Sequence, residues 1–184
     1  MGLAMVSTAA MAELSDFTGF EAGATLSINN GKVSSGDQSS DGNNTTFGLH
    51  GGYGLELSKD SLVLFGIDYD TGNVSAGSAN NNNGVSTPAN YKNPYGLSVG
   101  YGLLVKDDTL AFAKISYEAA TFSYDNFEAN MHGFGLGAGV RYLLNKTTYL
   151  QAELKYAKYT NSSDGNIDSD IRNTQLNIGV GMRF

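Results

Sequence analysis

The stretch GFGLGAGVRYLLNK, residues 133–146, decides the fold. Its glycines at 133, 135, 137 and 139 alternate with Phe134, Leu136, Ala138 and Val140. A phosphate-binding G-x-G-x-x-G turn would need its third glycine at Ala138, and would open a helix. Strict alternation instead signals a strand, with bulky apolar groups on one face and nothing on the other. Glycine inside a strand is costly. A row of it implies a face crowded by large side chains arriving from elsewhere.

Seven more segments alternate in the same way, anchored on Phe20–Ile28, Phe47–Leu57, Val63–Tyr69, Tyr95–Val105, Ala111–Tyr117, Leu150–Tyr156 and Leu176–Phe184. Each is close to the length a tilted membrane strand needs. The connections alternate too. Residues 58–61, 106–109 and 145–148 are tight turns (SKDS, KDDT, NKTT). Residues 29–44, 70–90, 121–130 and 160–172 are longer and mostly rich in Asn, Ser, Gly and Asp. An up-and-down barrel threaded through a membrane puts all its long loops at one end, with termini and tight turns at the other.

The faces agree. Charges and glycines share one side of each segment, and the opposite side is almost free of charge. A soluble lipocalin-like barrel would turn its apolar side inward. Lipid demands the reverse, a closed sheet with an uncharged outer band. Phe47, Tyr69, Tyr95, Tyr117, Phe134 and Tyr156 fall near the loop end of that band, and Phe20, Tyr142 and Phe184 near the other. This placement predicts two aromatic girdles. The expected fold is therefore all-β, an eight-stranded antiparallel up-and-down transmembrane β-barrel over residues 13–184. The first twelve residues, ending in the A-x-A pattern Ala10-Met11-Ala12, read as part of a cleaved signal peptide.

Composition removes other classes. None of the 184 residues is cysteine, which excludes disulfides and thiol nucleophiles. A formal charge of -7 disfavours nucleic acid. His50 and His132 are the only histidines, and neither belongs to a recognisable nucleophile motif, so no enzyme and no cofactor are expected. DGNIDSD places Asp164, Asn166, Asp168 and Asp170 on alternate residues, as a calcium loop would. It lacks that loop's glycine and its acidic twelfth residue, which leaves it a weak metal candidate.

NIGVGMRF, ending on Phe184, resembles the closing strand of bacterial outer-membrane barrels. GLGAGVRYLLNK resembles the penultimate hairpin of the small eight-stranded group comprising OmpX/Ail, the OmpA barrel and opacity-type surface proteins. The resemblance implies an outer-membrane location among lipid and lipopolysaccharide, insertion by the barrel-assembly machinery, and Phe184 as part of the assembly signal. It also implies a structural, adhesin-like or immune-evasion role. A monomer is expected, with any host or surface ligand met by the loops.

The chemistry that remains is the inward charge. Glu21, Glu56, Arg141 and Arg183 fall near the periplasmic end, with Lys114 somewhat higher. Asp68, Glu118, Glu153 and Lys155 fall nearer the outside. Opposite charges in a narrow lumen must pair. They form either a salt-bridge plug or a gate whose partner exchange opens a narrow conduit for ions or small solutes. Eight strands leave room for little beyond side chains.

Overall fold

The structure, a computed structural model, describes residues 14–35, 38–80, 86–124, 127–161 and 169–184. The proposed signal peptide lies outside them. A single 3-10 turn (Leu14–Phe17) precedes nine strands: β1 Gly19–Ser35, β2 Gln38–Ser58, β3 Ser61–Thr71, β4 Asn73–Asn80, β5 Ser86–Lys106, β6 Thr109–Tyr124, β7 Phe127–Leu143, β8 Thr148–Asn161 and β9 Ser169–Arg183. All pairings are antiparallel. Eight of the strands close a ring, β1-β2-β3-β5-β6-β7-β8-β9, with β9 returning to β1. Closure pairs Glu21 with Arg183 and runs in register to Ser35 opposite Ser169. No helix among the described residues is long and apolar enough to cross a membrane. The closed ring gives the backbone the hydrogen bonds that lipid cannot supply.

The face assignment follows the period of two along the apolar band of every strand of the ring. Leu26, Leu49, Ile67, Leu97, Ile115, Leu136, Leu154 and Ile178 all point outward and are exposed. The aromatic girdle residues are exposed with them, and some meet across strands. Tyr117 and Phe134 are edge-on at 6.0 Å, and Phe20 and Tyr53 at 4.8 Å. The glycine row of β7 lines a full interior. A Cβ on Gly135 would lie 3.1 Å from Glu118 Oε1, one on Gly137 3.2 Å from Lys114 Cγ, and one on Gly139 2.7 Å from Phe112 Cζ.

The long connections depart from the sequence reading. Most of residues 29–44, 70–90 and 121–130 continue as paired strand, and β2 and β5 reach 21 residues each. That is about ten more than a tilted crossing requires. Their Asn/Ser/Gly content reads as loop, but the register continues unbroken through Asn29–Asn44 to Ser35–Gln38. The tight turns do stay tight: Asn145 Oδ1 accepts from the backbone N–H groups of Thr147 and Thr148, both at 2.9 Å.

The ninth strand, β4, follows Gly72, whose φ of 141° favours glycine. It pairs with the outer part of β5 and lies against the inner face of the β1–β2 extension. Asn44 Nδ2 donates to Asn73 O at 2.6 Å, and Ser78 exchanges two 2.9 Å bonds with Ser40 Oγ. The approach needs a bare Gly42, because a Cβ there would lie 3.0 Å from Gly77 Cα. Gly42→Val should unseat β4 alone. Limited proteolysis would then cut within residues 73–80, while the thermal unfolding of the barrel stays within a few degrees of the parent.

Candidate functional site

The interior is stacked in three layers, and the strands set each one. At the periplasmic end Leu62, Leu64, Leu110, Phe112, Leu143 and Tyr149 turn inward and bury Leu14 and Phe17 of the 3-10 turn. Arg183 fastens that turn in place. Its Nη1 donates to Ser15 O (2.6 Å) and Thr18 O (2.8 Å), its Nη2 to Lys146 O (2.9 Å), and Asp16 lies at 3.6 Å.

The middle layer is polar. Arg141 on β7 reaches across the lumen to Glu21 on β1 with two parallel bonds of 2.7 Å. Such a two-pronged pair fixes both side chains more firmly than a single contact. Its Nε donates to Gln151 at 2.7 Å, and its plane covers the rings of Tyr149 (5.0 Å) and Phe112 (5.4 Å). Gln151 leads on to Glu153 at 3.3 Å. Lys114 on β6 bridges Glu153 (3.1 Å) and Asp68 (3.2 Å). Farther out, Lys155 pairs with Glu118 at 3.2 Å, and Ser116 donates to the same carboxylate at 2.5 Å. Gln175 links Asp70 (3.0 Å) to Asn29 (2.7 Å), which also binds Thr46 (3.0 Å) and Asn173 (3.2 Å). The voids left in this layer are water-sized, about 30 Å³ beside Glu21, His50 and Lys114 and about 10 Å³ beside Asp70 and Lys155.

The outer layer is apolar again. Val74 and Ala76 of β4 pack with Tyr91, Met131, Tyr159 and Ile171, all buried. Tyr91 and Tyr159 stack at 5.7 Å. Tyr91 is in the interior because one extra residue is inserted into β5 between Lys92 and Tyr95, with Asn93 at a φ of 49°. That bulge reverses the facing of everything before it, so Tyr91 points in although Tyr95 points out.

Of the nine charges expected to share the lumen, seven do: Glu21, Asp68, Lys114, Glu118, Arg141, Glu153 and Lys155. Two do not. Glu56 stands exposed beside a register shift at the β2–β3 turn, and Arg183 holds the 3-10 turn at the periplasmic rim. Asp70, Gln151, Gln175 and Asn29 join the network without having been singled out; the facing of their strands already turned the first three inward, whereas Asn29 fell in a stretch read as a loop. His50 meets the Tyr149 hydroxyl at 2.9 Å, and His132 stacks on Tyr117 at 6.3 Å. Of the metal candidate, Asp164, Asn166 and Asp168 lie outside the described residues, and only the backbone of Asp170 is placed, opposite Ser34. No group of acidic or histidine side chains able to hold a metal occurs among the described residues.

The sequence matches the outer membrane protein beta-barrel domain along its whole length, residues 1–184. The chain belongs to this family. It is a small barrel of the bacterial outer membrane, with its apolar band in lipid. No curated protein matches the sequence. In fold this outer-membrane barrel is similar to the crystal structure of Neisserial surface protein A, at 18% identity and a TM-score of 0.63, covering 91% of this chain and 98% of that one. It is also similar to Ail, the attachment invasion locus protein of Yersinia pestis, solved with the heparin analogue sucrose octasulfate (16%, 0.55, 90% and 99%). A third likeness is to the outer membrane protein AlkL in lipid bilayers (15%, 0.56, 100% and 96%). At these identities the likeness is one of fold.

Proposed function

We propose that this barrel is a closed anchor whose outer hairpins act as a surface-interaction, adhesin-like element. The observation that carries the reading is the double seal. Apolar layers stand in series above and below a cross-linked polar layer whose voids, among the described residues, have room for a few waters at most. A conduit would need a continuous wet path. The described part of the polar layer holds five carboxylates (Glu21, Asp68, Asp70, Glu118, Glu153) against three cations (Lys114, Arg141, Lys155), a surplus that by itself favours cations. It is sealed at both ends, and we therefore place the salt-bridge gate second. What reaches beyond the membrane is the paired extension of β1–β2, β4–β5 and β6–β7, and the solved complex of Ail with a heparin analogue supports looking for an anionic glycan there.

Conductance of the refolded chain in a planar lipid bilayer tests this. Folded protein should leave the membrane silent, and should stay silent when Tyr91 and Tyr159 are both replaced by Ala, since the periplasmic layer remains. Steady openings that change with Glu21→Gln would make the polar layer a gate.

We also retain Phe184 as part of the assembly signal. Its ring is exposed on the outer face, and its N–H donates to Phe20 O at 2.8 Å. Phe184→Ala should reduce the amount of barrel inserted in cells several-fold and leave refolding of the purified chain into lipid unchanged. Equal loss in both would make the ring merely structural.

A further inference from the structure

One pairing of the ring differs in kind from the others. The rest join strands that follow one another around it in chain order, whereas β1–β9 joins the first strand to the last. Bringing those ends together closes the longest loop in the chain and carries the largest entropy cost. It is therefore the seam. Its registered pairs stop at Glu21 opposite Arg183, with one more bond from the Phe184 N–H to Phe20 O at 2.8 Å.

Just beyond the seam the chain turns back into the periplasmic mouth. It does so at Gly19, whose φ is 96° and whose Cβ, if it had one, would lie 3.0 Å from Phe184 O. The 3-10 turn then crosses the mouth. Leu14 and Phe17 are buried in one cluster with Leu62 of β3, Leu110 of β6, Leu143 of β7 and Tyr149 of β8, none of them on a seam strand. Phe17 O passes against the bare Cα of Gly54 on β2.

Arg183 completes the tie. Its register partner Glu21 is taken by Arg141, and its own guanidinium goes to carbonyl oxygens instead. Ser15 O and Thr18 O belong to the N-terminal turn and Lys146 O to the β7–β8 turn, with Asp16 adding an opposite charge. Hydrogen bonds from a charged donor are the stronger kind. A side chain of the last strand thus grips the segment that precedes the first. Parting β1 from β9 would break these bonds and draw Leu14 and Phe17 away from the far wall. That wall is assembled only once the sheet has curled, so the turn seats on a barrel already closed.

We propose that the N-terminal turn and Arg183 form a clasp, which seats after β1–β9 closure and keeps that seam from reopening. It lies at the periplasmic end and stands whether or not the outer hairpins bind a partner.

The full chain, refolded in phosphatidylcholine vesicles, tests both parts. Amide hydrogen exchange, read by mass spectrometry, compares the seam (residues 21–26 and 178–183) with residues 98–103 and 111–116 of the β5–β6 pair. In Arg183→Gln the seam should exchange on the order of tenfold faster, with the β5–β6 pair at the parent rate. Phe17→Ser and Gly54→Val unseat the turn without touching the arginine and should give the same selective loosening. They carry the comparison if Arg183→Gln yields no compact band on an unheated gel. Opening and closing rates in urea test the order of events. Phe17→Ser should speed opening on the order of tenfold and leave closing within about twofold of the parent, as for a contact absent from the transition state. Equal loosening of both pairs, or unaltered exchange at the seam, would overturn the clasp and leave the turn as packing alone. Closing that slows as much as opening speeds would place the turn before closure and overturn the order.

Discussion

Replacing Arg141 by Met is expected to destabilise the folded barrel by about 3–5 kcal/mol, the usual cost of removing one member of a buried ion pair. The side chain makes three kinds of contact, and their magnitudes differ. Covering Tyr149 and Phe112 contributes about 0.5–2 kcal/mol, and methionine recovers part of it by packing in the same space. The bond to Gln151 leaves a neutral amide oxygen without its donor, at about 1–3 kcal/mol. The loss of both bonds to Glu21 dominates, because that carboxylate is 7% exposed and the void beside it is only about 30 Å³. The second substitution separates these effects. With Glu21→Met added, the stranded charge disappears, and most of the lost stability should return. Denaturant unfolding in detergent or lipid, followed by gel mobility, measures all four corners of the cycle. If the double variant is as unstable as the single one, Arg141 acts through packing, and the ion pair is incidental.

That pair was legible in the sequence, and the reason is geometric. A strand has only two faces, so the alternation around Arg141 and around Glu21 already turned both toward the lumen. The same rule placed Lys114, Glu118, Glu153 and Lys155 inside. Alternation does not give the stagger between strands on opposite sides of the barrel, which decides who meets whom across it. Glu56 shows the difference. It has the inward parity of His50 and Gly54, but the strand has run past the end of the lumen by the time it reaches position 56. Arg183 sits opposite Glu21 in the closing register and turns instead to carbonyl oxygens of the 3-10 turn.

The two apolar layers were not legible, for a different reason. The outer one depends on a single inserted residue at Lys92–Tyr95, which inverts the facing of Tyr91, and on a strand whose sequence, NVSAGSAN, has the composition of a loop. The periplasmic one uses Leu14 and Phe17, two apolar residues in a short polar run with no periodicity to read. In both cases the determining fact is a long-range contact. A closed lumen was therefore expected on the grounds of barrel width alone, while its apolar ends came only with the fold.

The largest effect on the outer surface should come from Val180→Arg. Val180 is the middle member of the outward run Leu176, Ile178, Val180, Met182 and Phe184, all of them well exposed. Its registered neighbours are Ala24 on β1 and Leu150 on β8, and neither offers a polar group. An arginine there must either strip its guanidinium of water or stretch to the interface, and near the bilayer midplane the net cost is about 2–4 kcal/mol. The same substitution at Asp107, exposed in the β5–β6 turn, makes a larger change of charge (+2 against +1), but outside the hydrocarbon, and should cost close to nothing. The comparison therefore isolates depth from charge. Refolding yield and denaturant midpoint in phosphatidylcholine vesicles report it, and thicker bilayers should widen the gap because the arginine then has farther to reach. Equal tolerance at both positions would mean that Val180 does not face lipid, and the inside-out assignment of every strand in the ring would fall with it.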